Sequence, residues 1–158
     1  MILSQDSNCR SGLTYNTTDK LCEVAYSCPT GTAFDSSTDL CVLRIVSTDI
    51  KPGDSTNAIN LKNDQTVTVA ILGSSTFNVK NIVISPLSSS PTFGGNTPHS
   101  PIKYSYQDLN KDGKTDLVVQ YKVASLGFSP TSTQGCISGT LANTIPIYGC
   151  DSVKVVKS

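Results

Sequence analysis

The sequence predicts an all-β protein: an antiparallel β-sandwich over residues 43–158, preceded by a small disulfide-stapled repeat region over residues 1–42. Three observations point there. Short apolar-alternating runs recur at roughly ten-residue spacing with turn residues between them, the pattern of a sandwich. Eleven acidic residues are Asp and only one, Glu23, is Glu, and Asp favours turns where Glu favours helices. Six cysteines are present, and the first four fall in a duplicated unit.

The duplicated unit comes first along the chain. Cys9 and Cys22 enclose twelve residues, as do Cys28 and Cys41. Gly12 matches Gly31, Tyr15 matches Phe34, Asn16 matches Asp35 and Leu21 matches Leu40. Segments this short cannot bury a core, so cross-links must replace one. A duplicated unit repeats its internal bond, which pairs Cys9 with Cys22 and Cys28 with Cys41, with a crossed Cys9–Cys28 pairing as the rival.

Strand candidates then follow at 42–50, 65–72, 78–84, 101–106, 117–124, 137–141, 145–148 and 152–156. The second has the clearest alternation: Val67, Val69 and Ile71 face one way, Thr66, Thr68 and Ala70 the other. Turn residues at 52–54, 73–75, 94–96 and 112–113 separate the runs. Residues 85–100, rich in Ser, Pro and Gly, read as a long loop, and no window shows helical periodicity. Cys136 and Cys150, each preceded by Gly, are placed to tie a terminal hairpin that turns near 142–144.

Composition narrows the function classes. Formal net charge is zero and the basic residues are scattered, so the basic patch that a nucleic-acid partner requires is missing. No apolar run reaches the roughly 18 residues of a membrane span. The opening Met1-Ile2-Leu3 run is too short for a signal-peptide core, so the chain reads as a mature protein or a fragment given a start Met. Six cysteines in a chain of 158 residues fit an oxidising, extracellular or cell-surface setting. Catalytic chemistry is poorly supplied: the one histidine, His99, sits in the Ser/Pro-rich loop, and no Cys-x2-Cys or His pair for zinc occurs. The expectation is a protein that is not an enzyme.

The sharpest motif is Asp108-Leu-Asn110-Lys-Asp112-Gly113-Lys114-Thr-Asp116. It fits the opening of an EF-hand calcium loop, D-x-[DN]-x-[DN]-G. Calcium takes six to eight oxygens at about 2.3–2.6 Å, and alternating positions turn oxygen-bearing side chains toward one centre. Asp108, Asn110 and Asp112 are expected to ligate through side chains, Lys114 through its backbone carbonyl, and Asp116 directly or through water. The twelfth position is Val119 rather than a bidentate Glu, and a strand follows instead of a helix. The loop is therefore EF-like and enters a β-strand. A remaining ligand is sought among Asp49, Asp54 and Asp151.

The span 49–156 resembles a β-domain that recurs in secreted and cell-surface proteins of bacteria and archaea. The residues that carry the likeness are Asp49-Ile-Lys-Pro-Gly53, Asn57-Ala-Ile-Asn-Leu61, Val67-Thr-Val-Ala-Ile-Leu-Gly73, Phe77, the run from Asp108 to Val119, Gly139 to Leu141 and Gly149 to Val156. The resemblance implies an Ig-like sandwich with a calcium loop, one module among several in a large surface protein, with no assigned enzymatic activity. The N-terminal repeats look like Cys-x12-Cys units found in tandem in exported proteins, and faintly like chitin-binding cysteine modules.

Two functions follow as expectations. The first is a non-catalytic extracellular structural or adhesive module, stabilised by calcium, whose partners are other copies of itself or other surface proteins, as in a surface layer or filament. The alternative is a carbohydrate-binding module whose partner is a polysaccharide, with Tyr15, Phe34, Tyr104, Tyr106, Tyr121, Phe128 and Tyr148 as the available sugar platforms.

Overall fold

The computed structural model describes residues 13–16, 21–24, 28, 32–35, 40–62, 65–85, 90–95 and 99–156. The described residues are almost entirely strand and turn, so the all-β expectation holds. In chain order the strands are β1 (Leu13–Asn16), β2 (Leu21–Val24), β3 (Ala33–Asp35), β4 (Leu40–Val42), β5 (Arg44–Ile45), β6 (Thr48–Ile50) and β7 (Ala58–Asn60). There follow β8 (Thr66–Ile71), β9 (Thr92–Gly94), β10 (Lys103–Gln107), β11 (Asp116–Lys122), β12 (Gln134–Thr140), β13 (Pro146–Ser152) and β14 (Lys154–Val156).

The two repeat copies fold alike. Strands β1 and β2 form an antiparallel hairpin in which Tyr15 faces Cys22, and β3 and β4 form one in which Phe34 faces Cys41. Equivalent sequence positions therefore occupy equivalent registers. Cys28 is bonded to Cys41 (S–S 2.06 Å), as the repeat predicts. The pairing of Cys9 with Cys22 lies outside the described residues.

The remaining chain builds two four-stranded sheets, β10-β11-β8-β6 and β5-β13-β12-β9, and a separate β14-β7 pair. The first sheet is antiparallel throughout. In the second, β13 pairs antiparallel with β12 but parallel with β5, and β14 runs parallel to β7. The sequence led to an expectation of antiparallel pairing alone. Val46 and Ser47 carry the chain from one sheet to the other, so β5 reaches β13 without a hairpin and its direction is unconstrained.

One apolar cluster joins the two sheets. Ile50, Val67, Val69, Ile71, Leu117, Val119 and Tyr121 come from the first, Phe93, Ile137 and Ile147 from the second. The alternation read along β8 is borne out: Val67, Val69 and Ile71 are buried while Thr66 is exposed. Ala70, on the other face, is buried too. The ring of Phe93 lies 5.2 Å from that of Tyr121 and 5.9 Å from that of Phe128, centroid to centroid. The Tyr121 hydroxyl, buried with them, donates to the Pro91 carbonyl at 2.8 Å, and burial holds its pKa well above the ordinary phenol range.

Several boundaries differ from expectation. Residues 42–50 divide between β4, β5 and β6, three short strands in three sheets. Residues 78–84 form a 3-10 turn, Val79–Asn81, because the Asn78 side chain accepts the Lys80 N–H (3.0 Å) and caps it. Strand β9 lies inside the stretch read as a loop, and β7 was not anticipated.

Candidate functional site

The motif from Asp108 to Asp116 connects β10 to β11, whose last paired residues are Gln107 and Asp116. Its backbone turns back on itself through two left-handed residues, Lys111 (φ 60°) and Gly113 (φ 80°). Gly113 takes that conformation without a Cβ penalty, which is the physical reason for glycine at this position.

The side chains of the motif fold inward onto its own amides. Asp108 accepts the N–H of Asp112 on Oδ1 (3.1 Å) and that of Gly113 on Oδ2 (2.9 Å). Asn110 accepts the Asp112 N–H on Oδ1 (3.2 Å) and donates from Nδ2 to Asp112 Oδ2 (3.1 Å). Asp112 Oδ1 accepts the Lys114 N–H (2.8 Å). Asp108, Asn110, Asp112 and Lys114 all remain exposed to solvent. Each carboxylate oxygen that accepts one N–H keeps a second lone pair for another partner.

Asp116 behaves differently. It is fully buried, and each of its oxygens accepts a backbone N–H at 2.8 Å: Gly73 on Oδ1 and Leu109 on Oδ2. It ties the motif to the turn that leaves β8. The chain can approach there because residue 73 is glycine; a Cβ at that position would run into the Thr115 carbonyl oxygen. The sequence pointed to Asp116 as a ligand and gave no sign of this bracing role. The available signal was its place at the head of the apolar run Leu117-Val118-Val119, where a charged group would be drawn into the interior.

Among the described residues, no three His, Cys, Asp or Glu side chains gather closely enough to hold a metal ion. A calcium ion at this turn would draw on Asp108 and Asp112 together with neutral oxygens, the Asn110 amide and the Lys114 carbonyl. Such mixed oxygen sets are the kind that calcium accepts.

The three further acids considered as ligands belong to a different network. Asp54 pairs with Lys51 Nζ (2.8 Å) and accepts the N–H groups of Thr56 (3.0 Å) and Ala58 (3.2 Å). The Lys51 ammonium, with the Thr56 bonds, holds the Asp54 carboxyl well below the usual carboxylate range. Asp151 accepts from Ile50 N–H (2.9 Å), Asn57 Nδ2 (2.9 Å) and Ser152 N–H (2.8 Å). Asp49 has its pKa raised, first by burial and then by the nearby Asp151 charge. Asp54 closes the 51–58 segment on itself, and Asp151 ties Asn57 and Ile50 to β13.

The other candidates fall into place around this frame. Cys136 and Cys150, directly opposed on β12 and β13, are bonded (S–S 2.13 Å), so the hairpin staple is as expected. Two of the proposed sugar platforms, Tyr121 and Phe128, are core residues and are withdrawn from any surface role. Phe34, Tyr104, Tyr106 and Tyr148 are exposed by 36%, 49%, 38% and 39%, enough to meet a ligand. Tyr104 and Tyr106 meet edge to face, ring centroids 6.0 Å apart, on β10, which pairs only with β11 among the described residues. His99 is exposed and joins Phe93 through backbone bonds alone. No helix among the described residues is long and apolar enough to cross a membrane. No protein-family model, curated protein or solved structure matches the chain.

Proposed function

We propose that the chain is a non-catalytic module of an extracellular or cell-surface assembly, an Ig-like sandwich whose β10–β11 turn is ordered by calcium. The observation that carries this reading is the organisation of the turn. Two exposed carboxylates, with an amide between them, are drawn together by backbone donors on a loop anchored by the buried Asp116. Like charges at such spacing repel, and a divalent cation removes that repulsion. When bound, the ion supplies electrostatic cross-linking and no reaction; Asp108, Asn110, Asp112 and the Lys114 carbonyl would hold it.

The structural role follows from what the turn controls. It fixes the end of β10, an edge strand among the described residues on which Tyr104 and Tyr106 are exposed, as is Ile102 just before it. An edge of this kind accepts a strand from a neighbour, which is one route to layers and filaments. Two disulfides among the described residues fit an oxidising compartment.

Sedimentation and electron microscopy of the protein in millimolar calcium and in chelator test the proposal. Assemblies that form in calcium and dissolve in chelator are expected. A strict monomer in both, at concentrations of hundreds of micromolar, would overturn it.

A further inference from the structure

The second sheet carries a groove on the face that points away from the core. Its cavity volume is about 510 Å³, inside the roughly 300–1,000 Å³ range of ligand sites. The strand register builds it. Ile137 and Ile147 enter the core, so by the alternation of a pleated strand their neighbours Cys136, Ser138 and Tyr148 face outward. Across the sheet, Cys136 lies between Gly94 and Cys150, and Ser138 lies between Thr92 and Tyr148. Glycine, a disulfide and serine make a low floor. Tyr148 stands at one side of it, and residues 129–134 supply the rest of the lining.

The chemistry of the lining is uniform. Among the described residues, no Asp, Glu, Lys, Arg or His borders the groove. Hydroxyls dominate, and they are already linked: Ser129 Oγ lies 3.0 Å from Thr131 Oγ1 and 3.3 Å from Ser132 Oγ, and Ser138 Oγ lies 3.0 Å from Thr92 Oγ1. Each hydroxyl has one donor and two acceptor positions, so every linked pair still has bonds to offer. Linking also holds the hydroxyls in place before a ligand arrives, which lowers the ordering cost of binding.

We infer that this groove binds a neutral glycan. A sugar ring presents hydroxyls around its edge, which suit the Ser/Thr row, and an apolar C–H face, which suits the half-exposed ring of Tyr148. Charged polymers find no counter-charge there. This goes beyond the calcium reading and does not rest on it, because the groove and the turn lie on different sheets.

The test uses an array of neutral oligosaccharides (glucan, xylan, mannan, galactan and N-acetylglucosamine oligomers) with sulfated glycans beside them, in calcium and in chelator. At least one neutral series should bind in both conditions, and calorimetry on its hexasaccharide supplies the affinity. Tyr148→Ala should weaken that affinity by about tenfold, the size of one stacked aromatic contact, and Tyr148→Phe should stay within about twofold. Tyr104→Ala, on the other sheet, should bind like the parent. Amide NMR of the unmodified protein, independent of any variant's folding, should place the titrating signals at residues 94, 131–134 and 138. Failure of every neutral glycan at millimolar concentration, preference for the sulfated series, full affinity in Tyr148→Ala, or NMR shifts elsewhere would overturn the inference.

Discussion

Replacing Asp116 tests the bracing role that the sequence did not reveal. The carboxylate is fully buried and satisfies two backbone donors, Gly73 N–H and Leu109 N–H, each at 2.8 Å. Asp116→Ala leaves both donors without a partner. A buried donor left unpaired costs about 1–3 kcal/mol, and bonds to a charged acceptor lie toward the upper part of that range. Relief of the buried charge offsets part of the loss. The net expectation is a destabilisation of about 3 kcal/mol, measured by urea denaturation in the presence of chelator. Asp116→Asn keeps one acceptor but turns an amide N–H toward the second donor, and should cost about 2 kcal/mol. Asp112→Ala, in the exposed part of the same motif, should cost less than about 1 kcal/mol under these metal-free conditions. An Asp116→Ala protein within about 0.5 kcal/mol of the parent would refute the bracing role, because the Gly73 donor is buried and its loss of a partner cannot be that cheap.

Other outcomes follow from the same contacts. Gly73→Ala should lower the urea midpoint, since the new methyl group meets the Thr115 backbone, which cannot yield without disturbing the start of β11. Replacing Cys136 and Cys150 together by Ala opens a loop whose ends are 14 residues apart and should cost about 2–3 kcal/mol by the loop-entropy relation, read by calorimetry. Tyr121→Phe removes the donor to Pro91 and should cost about 1–2 kcal/mol in the same denaturation assay. Because the folded pKa of Tyr121 is raised, its contribution is intact below the unfolded value of about 10 and is lost as pH rises beyond it; alkaline absorbance titration should show this tyrosine ionising only with unfolding. Asp49 also has a raised folded pKa, so its contribution is present below the ordinary Asp value of about 3.9 and lost as pH rises through the folded value. Asp49→Asn should therefore stabilise the protein at pH 7 and have little effect at pH 3, as paired melts would show.

How much of this was legible depended on whether a residue's role was local. The β8 alternation, the Cys28–Cys41 bond of the second repeat copy and the Asp108–Gly113 turn are local patterns: each is set by neighbours within about a dozen residues, and each appears in the fold where it was expected. Strand β9 is not local. Three residues among serines and prolines carry no periodicity, and they become a strand because Phe93 fills the space between Tyr121 and Phe128, about thirty positions away in sequence. The bracing role of Asp116 escaped the sequence for a related reason. The motif spacing pointed to an ion, while the distant partner Gly73 depends on β8 lying beside β11. The groove around Tyr148 was invisible because it needs the cross-sheet order β13-β12-β9, which places a glycine and a serine beside an aromatic ring. The Asn78 cap was readable in principle, but an apolar run around it resembled a strand.

The claim on which the proposed role depends is that the 108–116 turn takes up calcium. Thermal melting of the parent and of Asp108→Ala, each in chelator and in calcium, measures it most directly. At calcium concentrations about a hundred times the dissociation constant, the parent should gain about 2.7 kcal/mol, and Asp108→Ala should gain none of it. Identical melting of the parent with calcium and with chelator would contradict the account.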